Sequence, residues 1–301
     1  MTFALLSLIE VVPAWNHELT IARTAAKAAT KLLLERPGEV HFARQQLETA
    51  LPSATSGRWL THVESRSVVV LLLSPREALV SVVCQPTQSG GGCLTAYATS
   101  EGGAYVQLTE AEEPKVASAG DANRHANVLH LPAGWCVQLE ELLIHLQDTG
   151  LGMPIKLTRT GSQQSSCADG LLDLMLGRAD LHVAPPSRFL QQTYPPPHVL
   201  CAFELLLEEC GGSLTDVYGD ALDLVAACAE PIYVESSSRI ARGGVLACLD
   251  CMRPYFVRAL SSAFPRKSAL ERFADVAEIH QSQRIQRPIR FVDEDGEELK
   301  P

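Results

Sequence analysis

Apolar positions along this chain change period several times, and each change predicts an element. Residues 17–36 place Leu19, Ala22, Ala26, Ala29 and Leu33 three or four apart, which predicts an amphipathic helix ending at Pro37 and Gly38. A second helix is predicted over 42–51. Residues 52–64 read as a loop by composition. The unbroken apolar run 66–73 and the β-branched run 78–84 read as two strands, turned at Pro75, Arg76 and Glu77. A glycine loop at 90–92, a strand at 93–99 and a polar connection over 109–126 follow. Strand, helix, strand, helix and strand are then predicted over 127–131, 135–147, 154–159, 165–176 and 180–184, before a proline-rich stretch.

Residues 198–210 predict a buried helix, because Ala202, Leu205, Leu206 and two cysteines share helical spacing. Gly211 and Gly212 stop it, since glycine takes the left-handed conformation of a helix C-terminus at little cost. A strand over 213–215, a turn over 218–220 and a second strand over 221–224 complete this stretch. A further helix is expected over 266–280. The tail from Gln281 is polar, first basic and then acidic, and is expected to be extended. The domain reading is an α+β subdomain over 1–126, an α/β subdomain over 127–265, and a helix and tail over 266–301. Alternating helices and sheets place the chain in the α/β (α+β) class.

The length of 301 residues suits one large domain or two subdomains sharing a core. A net charge of −10 argues against general nucleic-acid binding, which needs a basic face. The apolar run Val68–Leu73 is too short to span a bilayer. The nine scattered cysteines point to a reducing, intracellular compartment rather than a disulfide framework, with cytoplasm and organelle both open.

The stretch from His198 to Leu224 resembles, without gaps, the C-terminal signature of the inositol monophosphatase superfamily, and within it the 3'(2'),5'-bisphosphate nucleotidase branch. That signature runs Trp-Asp-x-Ala-Ala, Gly-Gly, Thr-Asp and a Gly turn. Gln85-Pro86, Gly103-Ala104, Gly161-Ser162, Gly177-Arg178-Ala179-Asp180 and Arg242-Gly243-Gly244-Val245-Leu246-Ala247 also resemble family text, and the last implies the start of the final helix. The resemblance implies a layered αβαβα inositol-monophosphatase-like fold with a shortened N-terminal part, and Mg²⁺-dependent phosphate-monoester hydrolysis. It departs where the family does its chemistry. The Trp-Asp that carries a metal ligand is His198-Val199 here, and the Glu-Glu and Asp-Pro-x-Asp-Gly-Thr motifs are missing. No aspartate precedes Asp121, although eleven glutamates do, with Glu64 nearest the missing loop. Valine offers neither charge nor lone pair to a hard cation.

Other residues weigh less. Cys248 and Cys251 have CxxC spacing, read here as structural thiols inside an apolar helix rather than a zinc or redox site. His198 reads as structural, Asp216 and Asp220 as turn residues, and Asp180 as a strand start. Gly90 to Gly92 lack the Lys-Ser/Thr of a P-loop. Gly161 and Ser162 present backbone N–H groups at a helix start, where the family binds substrate; an ordinary cap and a vestigial phosphate or nucleotide site weigh equally.

The preferred expectation is a catalytically inactive phosphatase-like subunit or regulator of a larger assembly, with no cofactor and with protein partners. Its tail residues Arg287, Ile289, Arg290 and Phe291 alternate in a way that would add a strand to a partner's sheet. The alternatives are a metal-free module for a nucleotide or sugar phosphate, and a Mg²⁺ phosphatase with relocated ligands.

Overall fold

The computed structural model describes residues 15–36, 38–53, 57–64, 66–87, 92–109, 112–117, 127–131, 137–148, 155–159, 167–189, 194–229, 240 and 242–266. The chain divides into two units, Met1–Phe264 and Pro265–Pro301, and every named element belongs to the first. The expected helix over 266–280 and the tail residues Arg287, Ile289, Arg290 and Phe291 lie outside the described residues, as do Gly161 and Ser162.

Two helices open the described chain, α1 (Asn16–Glu35) and α2 (Val40–Ala50). They cover one face of a six-stranded antiparallel sheet: β1 (Arg58–Val63), β2 (Val68–Leu73), β3 (Ala78–Pro86), β4 (Cys93–Thr99), β5 (Gly103–Gln107) and β6 (Lys115–Val116), paired in sequence order. Strand β2 shows why its apolar run is unbroken. Val68, Val70 and Leu72 pack with α1 and α2, while Val69, Leu71 and Leu73 join the core on the other face, so both faces of the pleat are buried.

The second sheet holds β7 (Asn127–Leu131), β8 (Ile155–Arg159), β9 (Leu181–Ala184), β10 (Gly212–Thr215) and β11 (Val245–Leu249), in the order β10-β11-β9-β7-β8. Strand β7 runs parallel to β8 and β9, and β11 is antiparallel to both its neighbours. Between the sheets lie α4 (Cys167–Met175), α5 (Pro197–Glu208) and α6 (Leu224–Ala229). On the outer face of the second sheet, α3 (Val137–Asp148) and α7 (Arg253–Ala263) bury Leu139, Leu142, Leu146, Phe256 and Leu260 against β9 and β11. The layers therefore run αβαβα, as expected.

Three expectations change. Residues 58–63 form strand β1, not loop; as an edge strand it is only half-buried, so its apolar signal is weak. Residues 245–249 form the buried strand β11 rather than the start of a helix. The helix begins only at Arg253, where Pro254 sits in the first turn and its missing N–H costs nothing. Cys248 is thus on a buried strand and Cys251 on an exposed turn, not together in a helix. Finally, Ala221 makes one isolated bridge to Thr215, and Leu224 already opens α6.

Two contacts fix α5 to the first sheet. The buried Ser81 hydroxyl donates to the Ala202 carbonyl at 2.8 Å. At the other end, Glu209 accepts from the N–H of Glu101 at 2.8 Å and of Gly103 at 2.7 Å. It thereby clamps the β4–β5 turn, where Glu101 takes a φ of 63° that non-glycine residues rarely adopt.

Candidate functional site

The position that carries a metal ligand in the resembled family lies at the start of α5. Pro197 opens this helix, its fixed φ suited to a first turn. His198 is half-buried, and Val199 is 3% exposed inside the core between the sheets. The β1–β2 turn, closed by the Glu64 N–H donating to the Ser67 carbonyl at 2.9 Å, brings a second set of polar groups here. His62 Nε2 lies 2.9 Å from Glu64 Oε1, and the Ser67 hydroxyl donates to Glu64 Oε2 at 3.4 Å. The rings of His62 and His198 meet edge to face, 5.6 Å apart. Nearby on α2, Arg44 donates to Glu48 at 2.9 Å.

The environment sets the charges. Burial, then the charges of His62 and Arg44, push His198 down to about 4, so its imidazole is neutral at pH 7. Its Nε2 is buried and has no hydrogen-bond partner among the described residues. The hydrogen bond with His62 lowers the Glu64 carboxyl against the opposing effect of burial. Both Glu64 oxygens are engaged within the protein. Ser67 is 1% exposed and its proton is committed to Glu64, so it is no poised nucleophile.

Among the described residues, those at the start of α5 do not fit a clustered Mg²⁺ site. Val199 supplies no oxygen and Glu64 is internally bonded. Among the described residues no group of three or more His, Cys, Asp or Glu side chains is placed to hold a metal ion. Hard cations require oxygen ligands.

The other expected residues fall as follows. Asp216 is a turn residue: its Oδ1 accepts from the N–H of Tyr218 and of Asp220, each at 2.9 Å. Asp220 closes the same turn by accepting from the Asp216 N–H at 2.9 Å, and Asp180 immediately precedes β9. The structure does not bring Asp216 or Asp220 to His62 or Glu64 in any described hydrogen bond.

One group was not anticipated from the sequence. Burial, then the carboxylates of Glu208 and Asp223, push Glu204 on α5 up to about 8. Its only sequence signal is an acidic residue at a spacing of four from Glu208, within an otherwise apolar helix.

The layers, and the helix that ends in a glycine pair before β10, define the inositol monophosphatase-like α/β fold. Among solved structures the chain is similar to the extragenic suppressor protein SuhB of Bartonella henselae, at 15% identity and a TM-score of 0.52, covering 81% of this chain and 98% of that one. It is similar to inositol monophosphatase from Anabaena (Nostoc), at 18% identity and 0.53, covering 82% and 96%. It is also similar to apo fructose-1,6-bisphosphatase of Leishmania major, at 10% identity and 0.56, covering 84% and 96%. No protein-family model matches the chain, and no curated protein matches it by sequence. Among the described residues no helix is long and apolar enough to cross a membrane.

Proposed function

We propose that this chain is a pseudoenzyme on a phosphatase scaffold, serving as a structural or regulatory subunit through its surfaces rather than by hydrolysis. Val199 carries the reading. At the start of α5, where a family of this fold presents a metal-ligating aspartate, the chain buries a valine inside the hydrophobic core. The neighbouring polar groups support it. His62, Glu64 and Ser67 satisfy one another, and the neutral His198 ring packs on His62. Metal-assisted hydrolysis depends on a cation that activates water and stabilises the leaving oxygen. Such a cation would need a carboxylate pair with free oxygens.

The test is Mg²⁺ and Mn²⁺ titration by calorimetry, with phosphate release measured on inositol monophosphate, fructose 1,6-bisphosphate and adenosine 3',5'-bisphosphate. No metal-dependent heat and no release above buffer are expected. Release abolished by EDTA would overturn the proposal.

A further inference from the structure

The described cysteines are all free thiols, and two of them share one hydroxyl. Strands β3 and β4 pair Cys84 with Thr95 and Pro86 with Cys93, so Cys84 and Cys93 are diagonal neighbours on one face of the sheet. That face packs under α1. Cys84 donates to Thr95 Oγ1 at 3.5 Å, and Cys93 Sγ lies 3.8 Å from the same oxygen. As a thiol, Cys93 also donates to the Leu94 carbonyl at 3.5 Å. The two sulfurs differ in access: Cys84 is fully buried, whereas Cys93 is half-buried at the mouth of the hairpin, next to Gly92.

We propose that Cys93 and Cys84 form a peroxide-sensitive dithiol in which peroxide oxidises the Cys93 sulfur and Cys84 resolves it to a reversible cross-strand disulfide. In the first step the Cys93 thiolate attacks hydrogen peroxide. An S–O bond forms and the O–O bond breaks, leaving Cys93 sulfenic acid and hydroxide, which combines with the proton that the Cys93 thiol released on ionising to give the first water. In the second, Cys84 sulfur attacks the Cys93 sulfur. The S–O bond breaks, and the departing hydroxide takes the Cys84 proton and leaves as water. Overall two thiols and one peroxide give one disulfide and two waters.

The surroundings distinguish the two sulfurs. The Cys84 thiol, and after it the Thr95 hydroxyl, hold Cys93 below the ordinary thiol range against the effect of burial. Burial raises Cys84, which makes it the slower nucleophile of the two because the thiolate attacks; the Lys27 charge on α1 opposes that rise. Diagonal pairs stand about 7–8 Å apart, wider than the usual disulfide span. Closing the bond therefore requires the two strands to shift at this end of the hairpin. The proposal is independent of whether the scaffold hydrolyses phosphate esters.

The experiment exposes the full-length protein to a few equivalents of hydrogen peroxide and maps thiols by non-reducing peptide mass spectrometry. A cross-linked pair of Cys84 and Cys93 peptides is expected, lighter by two hydrogens and restored by dithiothreitol. In Cys84→Ser, dimedone should instead trap Cys93 sulfenic acid, and Cys93→Ser should abolish both products. Iodoacetamide labelling of the untreated wild-type protein supplies a second readout that needs no variant. Its pH midpoint at Cys93 should fall below the free-thiol value of about 8.5. A cross-link between any other pair of cysteines in place of Cys84–Cys93, or no cross-link with a Cys93 midpoint at or above the free-thiol value, would overturn the proposal.

Discussion

His198 gives the chain a pH-dependent stability of predictable sign. Its imidazole is held neutral in the fold, pushed from 6.5 down to about 4. The unfolded chain binds a proton in this window that the folded chain does not. Stability is therefore intact above pH 6.5 and falls as the pH drops toward 4. Below that both states are protonated and the loss levels off. Linkage puts the loss at about 2 kcal/mol by pH 5 and about 3 kcal/mol by pH 4. Other groups titrate in the same window, so the informative quantity is a difference between proteins. His198→Phe keeps a ring against His62 and removes the titration. Urea unfolding at pH 7, 6, 5 and 4.5 should show the wild type losing stability relative to the variant by that amount. If the two stability curves stay parallel from pH 7 to 4.5, the imidazole is not buried neutral against His62 and this account of the α5 start fails.

Three further outcomes test the architecture around α5. Glu204 has the opposite sign: its folded value, pushed up to about 8 from 4.5, means its contribution is present below pH 4.5 and lost as the pH climbs to 8. Glu204→Gln should raise the melting temperature at pH 9 and leave it unchanged at pH 4.5 in thermal scans. Glu209→Ala removes both acceptors from the β4–β5 turn and should cost about 2 kcal/mol in chemical denaturation, since hydrogen bonds to a charge are the stronger ones but this one is partly solvated. Glu209→Gln, which retains one oxygen, should cost less. Val199→Asp places an unpaired carboxylate in the core and should cost about 3 kcal/mol or more. Added Mg²⁺ should not restore the melting temperature, and full rescue by metal would show that oxygen ligands do converge there.

The sequence alone determined much of this protein. The three-and-four spacing of α1 marked a helix within a few residues of its ends. The unbroken apolar run of β2 marked a strand, and the structure buries it on both faces. The glycine pair after α5 marked its end, where Gly211 takes a φ of 78°. These signals are local, because burial on one stripe or on both faces of a pleat leaves its period in the sequence. That a valine stands at 199, where the resembled signature has an aspartate, was likewise readable from one position.

Only the tertiary structure decided the rest. Strand β11 has an apolar run too short to tell strand from helix, and its pairing with β9 and β10 settles the matter. Strand β1 acquires its identity from β2, because an edge strand buries too little to impose alternation. The meeting of His62 with His198 joins a hairpin to a helix far along the chain. The neutral His198 and the protonated Glu204 depend on desolvation, which no residue carries by itself. A sequence fixes which groups can titrate or ligate, but packing fixes which water they lose and which charges they meet.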